Sequence, residues 1–298
     1  MNENKDTGTN SDTCDCAQKA SSSASYKDKG RNEVGHYARQ LTQEEVEKLK
    51  RQDGRLVTAF KKDKLEAEAM KNWDKFYLRN ENRFFKDRHW TKDEFKELCS
   101  DLDWEKSMTM LEAGCGVGNM LFPFLEAFPN ITFAYACDFS KRAVDLLKTH
   151  TSYDTSRCSA FVCDLTCEDS LVPQVEPCSI DLCTLIFVLS AISEQKMHFA
   201  VKNLHGVMKP GGSVIVRDYG LYDYAMIRFE PGHKLAENAY VRQDGTRSYY
   251  FSEDALRQLF IENGFDCKSC TYVCKETVNR KEDLCVPRIF IQGRFAKL

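Results

Sequence analysis

No stretch of the 298 residues is an apolar run long enough to cross a bilayer, which excludes a transmembrane helix. The first forty residues hold Asp6, Asp12, Asp15, Asp28 and Glu33 and lack an apolar core, which argues against a secretory signal and an acid-poor mitochondrial presequence. There is little excess of either charge: 42 lysines and arginines face 45 acidic residues, a formal net charge of −3. Bulk attraction to nucleic acid is thereby excluded, no DNA partner is expected, and any phosphate contact must come from a local patch. No internal repeat of solenoid period is present. The 14 cysteines are spread along the chain without secretory features. They read as reduced thiols of a cytoplasmic protein, with the nucleus as a second expected compartment. Cys14 and Cys16, and the group Cys267, Cys270 and Cys274, lack a closed four-ligand set with histidine, so no metal is expected.

What is there begins with organisation. Residues 1–40 are polar and Ser-rich, too poor in large apolar side chains to offset the cost of ordering, and are expected to be disordered. Order is expected from Leu41, where Thr42 and Glu45 form a capping-box pattern and Leu41 and Val46 stand where a hydrophobic staple belongs. A helical segment over 41–107 follows, broken near Gly54. From 108 to 298 short apolar runs alternate with helical spacing. Strands are expected at Thr109–Ala113, Phe133–Cys137, Ala160–Cys163, Ile180–Leu189 and Ser213–Arg217, with helices near 118–128, 140–150 and 193–208. Such alternation implies an α/β fold, a mostly parallel sheet with helices on both faces. Ser252 starts a further helix that Gly264 ends, and segments near 267–275 and 286–295 are expected to pair as an antiparallel edge.

The densest motif is Leu111-Glu112-Ala113-Gly114-Cys115-Gly116-Val117-Gly118, a strand running into glycines and then a helix. Glycine lets the backbone turn tightly and pass close to a ligand. Asp138 ends the second strand, placed to accept from both ribose hydroxyls of an adenosine. Asp164 ends the third, where a carboxylate can receive the adenine amino group and Leu165 can lie against the ring. Each aspartate taken alone could simply cap a helix. A dinucleotide enzyme also wants glycines and an acidic residue some twenty positions on. The set resembles the class I methyltransferases, a Rossmann-like family with a seven-stranded sheet. Gly114, Gly116, Asp138, Asp164 and Leu165 match its motifs for S-adenosylmethionine, and Ile186 would line the same pocket. The second acidic strand end and the turn Lys209-Pro210-Gly211-Gly212 favour this methyl donor over NAD.

More specific strings narrow the resemblance. They are Trp73-Asp74-Lys75-Phe76-Tyr77, Phe84-Phe85-Lys86-Asp87-Arg88-His89-Trp90, Arg217-Asp218-Tyr219-Gly220, the run from Val241 to Tyr249, and Cys285-Val286-Pro287-Arg288. Together, over residues 41–298, they resemble the eukaryotic enzymes that form 3-methylcytidine in tRNA, nearest to the branch acting on serine tRNAs. The resemblance implies methylation at N3 of the cytidine at position 32 of the anticodon loop, with seryl-tRNA synthetase as partner. It implies that Trp73 and Tyr77, four apart on one helix face, reach the cofactor; core packing is the bland alternative. Arg88 could pair with the methionyl carboxylate.

Cytosine N3 has an in-plane lone pair, so the enzyme needs positioning and a carboxylate near the developing charge more than a strong base. Accordingly, no Asn/Asp-Pro-Pro-Tyr/Phe signature follows the fourth strand, which reads Ile186-Phe187-Val188-Leu189, and Pro177-Cys178 precedes that strand. Asp218 and Tyr219 are the expected catalytic pair. An insertion at about 218–251 interleaves aromatics with arginines and is expected to serve as a substrate lid. Arg217, Arg242, Arg247, Tyr249 and the late Arg288 are assigned to RNA, the aromatics to base stacking and the guanidinium groups to phosphate. Residues 275–298 carry six cationic against three acidic side chains, a net +3. A methyltransferase for a protein or small molecule and a non-catalytic RNA-binding relative are the alternatives.

Overall fold

The computed structural model describes residues 33–81, 87, 88, 91–279 and 284–298. Four helices precede the main sheet: α1 (Gln43–Asp53), α2 (Ala59–Ala67), α3 (Ala69–Asn80) and α4 (Thr91–Leu98). Thr42 and Glu45 close the capping box at the start of α1, and Gly54 ends it. Alternation then runs β2 (Met108–Ala113), α5 (Leu121–Ala127), β3 (Ile131–Asp138), α6 (Lys141–Lys148), β4 (Cys158–Val162), β5 (Ile180–Ile186), α7 (Glu194–Val207) and β6 (Met208–Tyr219). The inserted segment holds α8 (Tyr224–Ile227) and a three-stranded sheet of β7 (Lys234–Ala236), β8 (Ala239–Val241) and β9 (Arg247–Tyr249). Helix α9 (Glu253–Ile261), capped by Ser252, leads to β10 (Phe265–Asn279) and β11 (Leu284–Lys297).

The main sheet runs β10-β11-β6-β5-β2-β3-β4, the expected seven strands, with β11 antiparallel to both neighbours and β2, β3, β4, β5 and β6 parallel. Consecutive residues of one strand point to opposite faces. Thus Leu111 joins an apolar cluster with Val201, Leu204, Phe260 and Phe295, and Met110 joins another with Phe95, Phe124 and Leu147. The order of strands puts β2 and β5 side by side at the centre. The carboxyl ends of parallel strands around such a reversal of strand order are where open α/β sheets bind ligands.

Two expectations change here. An eighth short strand, β1 (Glu33–Gly35), pairs antiparallel with β10 and covers the edge of the sheet. It lies within the segment expected to be disordered; backbone pairing, which composition does not register, orders it. The remainder of that segment up to residue 32 lies outside the described residues, as do Phe84, Phe85, Lys86, His89 and Trp90 of the motif around Arg88. The second change is at β5, which ends at Ile186 rather than Leu189, because Phe187 turns into left-handed backbone at φ +61°.

Candidate active site

A cavity of about 290 Å³ opens at the carboxyl ends of β2, β3, β4 and β5. The glycine loop after β2 forms its floor. Gly114 has φ +74°, and a Cβ there would stand 2.3 Å from a methyl of Val188; Gly116 has φ +53°, and a Cβ would meet the Tyr77 hydroxyl at 2.8 Å. Glycine is required at both positions by conformation and by space. Asp138 closes β3, buried, its two oxygens accepting the N–H of Gly116 at 3.0 Å and of Ser140 at 2.9 Å. Burial pushes its carboxyl up to about 6 in spite of these donors. Asp164 follows β4 and accepts from the backbone N–H of Thr166 at 2.9 Å and its hydroxyl at 2.8 Å. Each carboxylate also faces the cavity, so capping and ligand binding are not exclusive. Leu165 and Ile186 supply apolar walls.

The N-terminal helices cover the cavity. Trp73 and Tyr77 of α3 lie on one face with ring centroids 6.0 Å apart, and both line it. The helix is fixed by Asp74, which accepts from the Ser140 hydroxyl at 2.5 Å, and by packing of Phe76 and Tyr77 on Val117 and Ala143. Arg88 lines the same cavity, its backbone N–H donating to Asn119 at 2.8 Å and its guanidinium 4.8 Å from the centre of the Phe187 ring.

Glu112 was not among the candidates. It is 3% exposed at the end of β2, lines the cavity, and its Oε2 has no hydrogen-bond partner among the described residues. Burial raises its carboxyl to about 8, against the opposing charge of Arg88. An unpartnered buried carboxylate costs several kcal/mol in proteins, so a cationic or donor group of a ligand is the natural partner. The sequence signal was available: an acidic residue inside the otherwise apolar run from Thr109 to Ala113.

The cavity thus brings together a glycine loop, two strand-end carboxylates, a buried acid and an arginine. A methyltransferase-domain family model matches residues 111–214. The human tRNA N(3)-cytidine methyltransferase METTL6 is 59% identical over 264 residues, covering 88% of this chain and 92% of its own length. The fission yeast (Schizosaccharomyces pombe) tRNA N(3)-methylcytidine methyltransferase trm141 is 44% identical, covering 79% and 95%. The chain belongs to the tRNA N(3)-cytidine methyltransferases. METTL2 of Xenopus tropicalis, named for the same activity, is 40% identical over 80% of each chain. Among solved structures, a SAM-dependent methyltransferase from Anabaena variabilis shares the fold, with a TM-score of 0.56 at 11% identity over 77% of this chain and 95% of its own.

In this tRNA N(3)-cytidine methyltransferase the residues assigned to RNA divide. Arg217 is corrected: it is 1% exposed, its Nε donates to Gln292 Oε1 at 2.9 Å and its Nη2 pairs with Glu94. It ties α4 to the sheet and cannot reach a phosphate. Tyr249 is corrected likewise, buried against Phe251 at 4.6 Å between centroids as part of the main core. Asp218 is 0% exposed, and its oxygens accept the N–H of Ser190 at 3.0 Å and of Tyr219 at 2.9 Å. It does not line the cavity, so the expected direct contact with the substrate gives way to a structural one. Tyr219 is half-buried, 4.9 Å from Phe187. Arg242 lies over Tyr219 at 5.4 Å and donates to the Arg247 carbonyl at 2.6 Å. Arg247 lines the cofactor cavity and pairs with Glu66 at 2.6 Å. Arg288 pairs with the buried Asp223 at 2.8 Å. Much of the insertion's aromatic content is its own core: Tyr240 and Tyr250 pack with Met226, and Phe229 stacks on Tyr240 at 4.6 Å. Among the described residues no three His, Cys, Asp or Glu side chains converge as a metal site.

Proposed function

We propose that this chain transfers a methyl group from S-adenosylmethionine to N3 of a tRNA cytidine, at position 32 of the anticodon loop of serine tRNAs, with seryl-tRNA synthetase as the partner that delivers the tRNA. The observation that carries the reading is the cavity itself. Gly114 and Gly116 leave room for a ligand against the backbone, and Glu112 keeps a buried oxygen without a partner. Asp138 would hold the ribose, Asp164 with Leu165 and Ile186 the adenine, and Glu112 with Arg88 the charged methionyl end. The cofactor supplies an electrophilic methyl on a sulfonium cation, a charge that Trp73 and Tyr77 favour through their ring faces.

N3 attacks with its own lone pair, so no residue need remove a proton, and the protein's work is to expose the base, orient it and exclude water. Tyr219 is proposed to stack the extruded base. Arg242, Arg247 and Arg288 are proposed for RNA phosphates, with Arg288 the most preoccupied by its carboxylate. The low net charge supports a carrier for the tRNA, since bulk attraction adds little affinity. The cytoplasm is the proposed compartment, with the nucleus second.

The test is methyl transfer to serine-tRNA transcripts, read as nucleosides by mass spectrometry, with cytidine 32 or uridine at that position and with or without the synthetase. Expected are 3-methylcytidine only with cytidine 32 and a faster rate with the synthetase at subsaturating tRNA. Transfer to a protein or small molecule in place of tRNA would overturn the reading.

A further inference from the structure

Phe187 occupies a backbone that large side chains rarely adopt, φ +61°, directly after β5. The conformation is imposed from the neighbouring strand β6. The Phe187 N–H donates to the Arg217 carbonyl at 2.8 Å, and Asp218 Oδ2 accepts the N–H of Ser190 at 3.0 Å, so two successive residues of β6 pin the loop on either side of Val188 and Leu189. Strain of this kind persists where the surroundings over-determine it, and it concentrates at functional sites.

What the strain achieves is direction. The Phe187 ring reaches the wall of the cofactor cavity, 4.9 Å from Tyr219 and 5.5 Å from Phe290. All three rings are only partly buried. Each carries a guanidinium group: Arg88 at 4.8 Å over Phe187, Arg242 at 5.4 Å over Tyr219 and Arg288 at 5.1 Å over Phe290. Flat π surfaces backed by cations suit an unstacked base with its phosphates. Of the three rings, Phe187 alone also lines the cofactor cavity.

We infer that Phe187, with Tyr219 continuing the same surface at 4.9 Å, is the platform against which the acceptor cytosine is seated beside the cofactor, and that Asp218 is a positioning residue acting through the Phe187 loop. This rests on the proposed reading that a tRNA cytidine is the acceptor. It also gives the buried Asp218 a role that needs no contact with the base.

The experiment compares Phe187→Ala, Phe187→Gly and Phe187→Tyr, alone and with Asp218→Asn, for melting temperature, affinity for S-adenosylhomocysteine, and kcat and KM with serine tRNA. Alanine and glycine both remove the ring, but only glycine is at ease at positive φ. Phe187→Gly should therefore melt above Phe187→Ala while both lose kcat/KM alike, by about 10–100-fold for one lost stacking surface. Phe187→Tyr should recover most of the loss, and S-adenosylhomocysteine affinity should fall by clearly less than kcat/KM does. The Phe187→Ala, Asp218→Asn double variant should be no slower than the worse single one, because both changes act through one ring. Transfer that follows melting temperature, a fall in S-adenosylhomocysteine affinity matching the loss of transfer, or additive losses in the double variant would overturn the inference. A native protein that binds S-adenosylhomocysteine but leaves tRNA cytidine unmethylated would instead remove the proposed function.

Discussion

Glu112 gives the prediction that follows most directly from the electrostatics. With its carboxyl raised to about 8 by burial, it is roughly nine-tenths protonated at pH 7 in the free protein. A ligand that brings a cationic ammonium or sulfonium group to the partnerless Oε2 favours the ionised form and expels that proton. Cofactor binding at pH 7 should therefore release about 0.9 proton, and affinity should rise about ninefold from pH 6 to pH 7 as the ionised fraction grows. Titration calorimetry in two buffers of different ionisation enthalpy reads the proton directly, and Glu112→Gln should remove most of both effects, leaving the roughly twofold rise that Asp138 at about 6 supplies. Stability without cofactor runs the opposite way. A carboxyl whose pKa is higher folded than unfolded stabilises fully below about 4.5, and that contribution is lost as pH rises through about 8. Asp138 and Asp218, each raised to about 6, contribute the same slope mostly below pH 7, so the difference between the native protein and Glu112→Gln isolates the larger Glu112 part of the window from 6 to 8. Over that window the free native protein should lose on the order of 2 kcal/mol that Glu112→Gln keeps. Heats that do not depend on the buffer, with affinity flat between pH 6 and 7, would refute the reasoning.

Three further outcomes are expected. Arg217→Ala should lower stability by roughly 1–3 kcal/mol, because it takes the donor from buried Gln292 and opens a gap while Glu94 keeps Lys275 at 3.0 Å, and chemical denaturation should show it without any selective loss of RNA affinity. Gly114→Ala should abolish cofactor binding in calorimetry, since the added carbon meets Val188 at 2.3 Å on a backbone that alanine resists. Glu66 pairs with Lys196 and Arg247, each at 2.6 Å, across the helices that cover the cavity; Glu66→Gln should speed cofactor release several-fold at low salt, less so at high salt, as followed by Trp73 fluorescence in stopped flow.

The parallel core, the glycine loop and the acidic strand ends were legible in the sequence because each is a local statement. Apolar period, a helix cap or a glycine before a helix needs only a few neighbouring residues to declare itself. The capping box at Thr42 and the strand-end placement of Asp138 and Asp164 are of this kind. Strand order, with β11 between β6 and β10, and the ordering of Glu33–Gly35 on β10 were decided by pairing between distant segments. The division among the arginines was also tertiary. Arg217, Arg242 and Arg288 look alike as letters, yet one is buried on Glu94, one lies on a half-exposed tyrosine and one is held by Asp223. A charged side chain in a sequence does not declare whether its counter-charge is a distant carboxylate or a ligand, and burial alone settles which. Phe187 marks the same boundary: its apolar character extended the expected strand, and only the grip of β6 on the loop turned it out of the strand and toward the cavity.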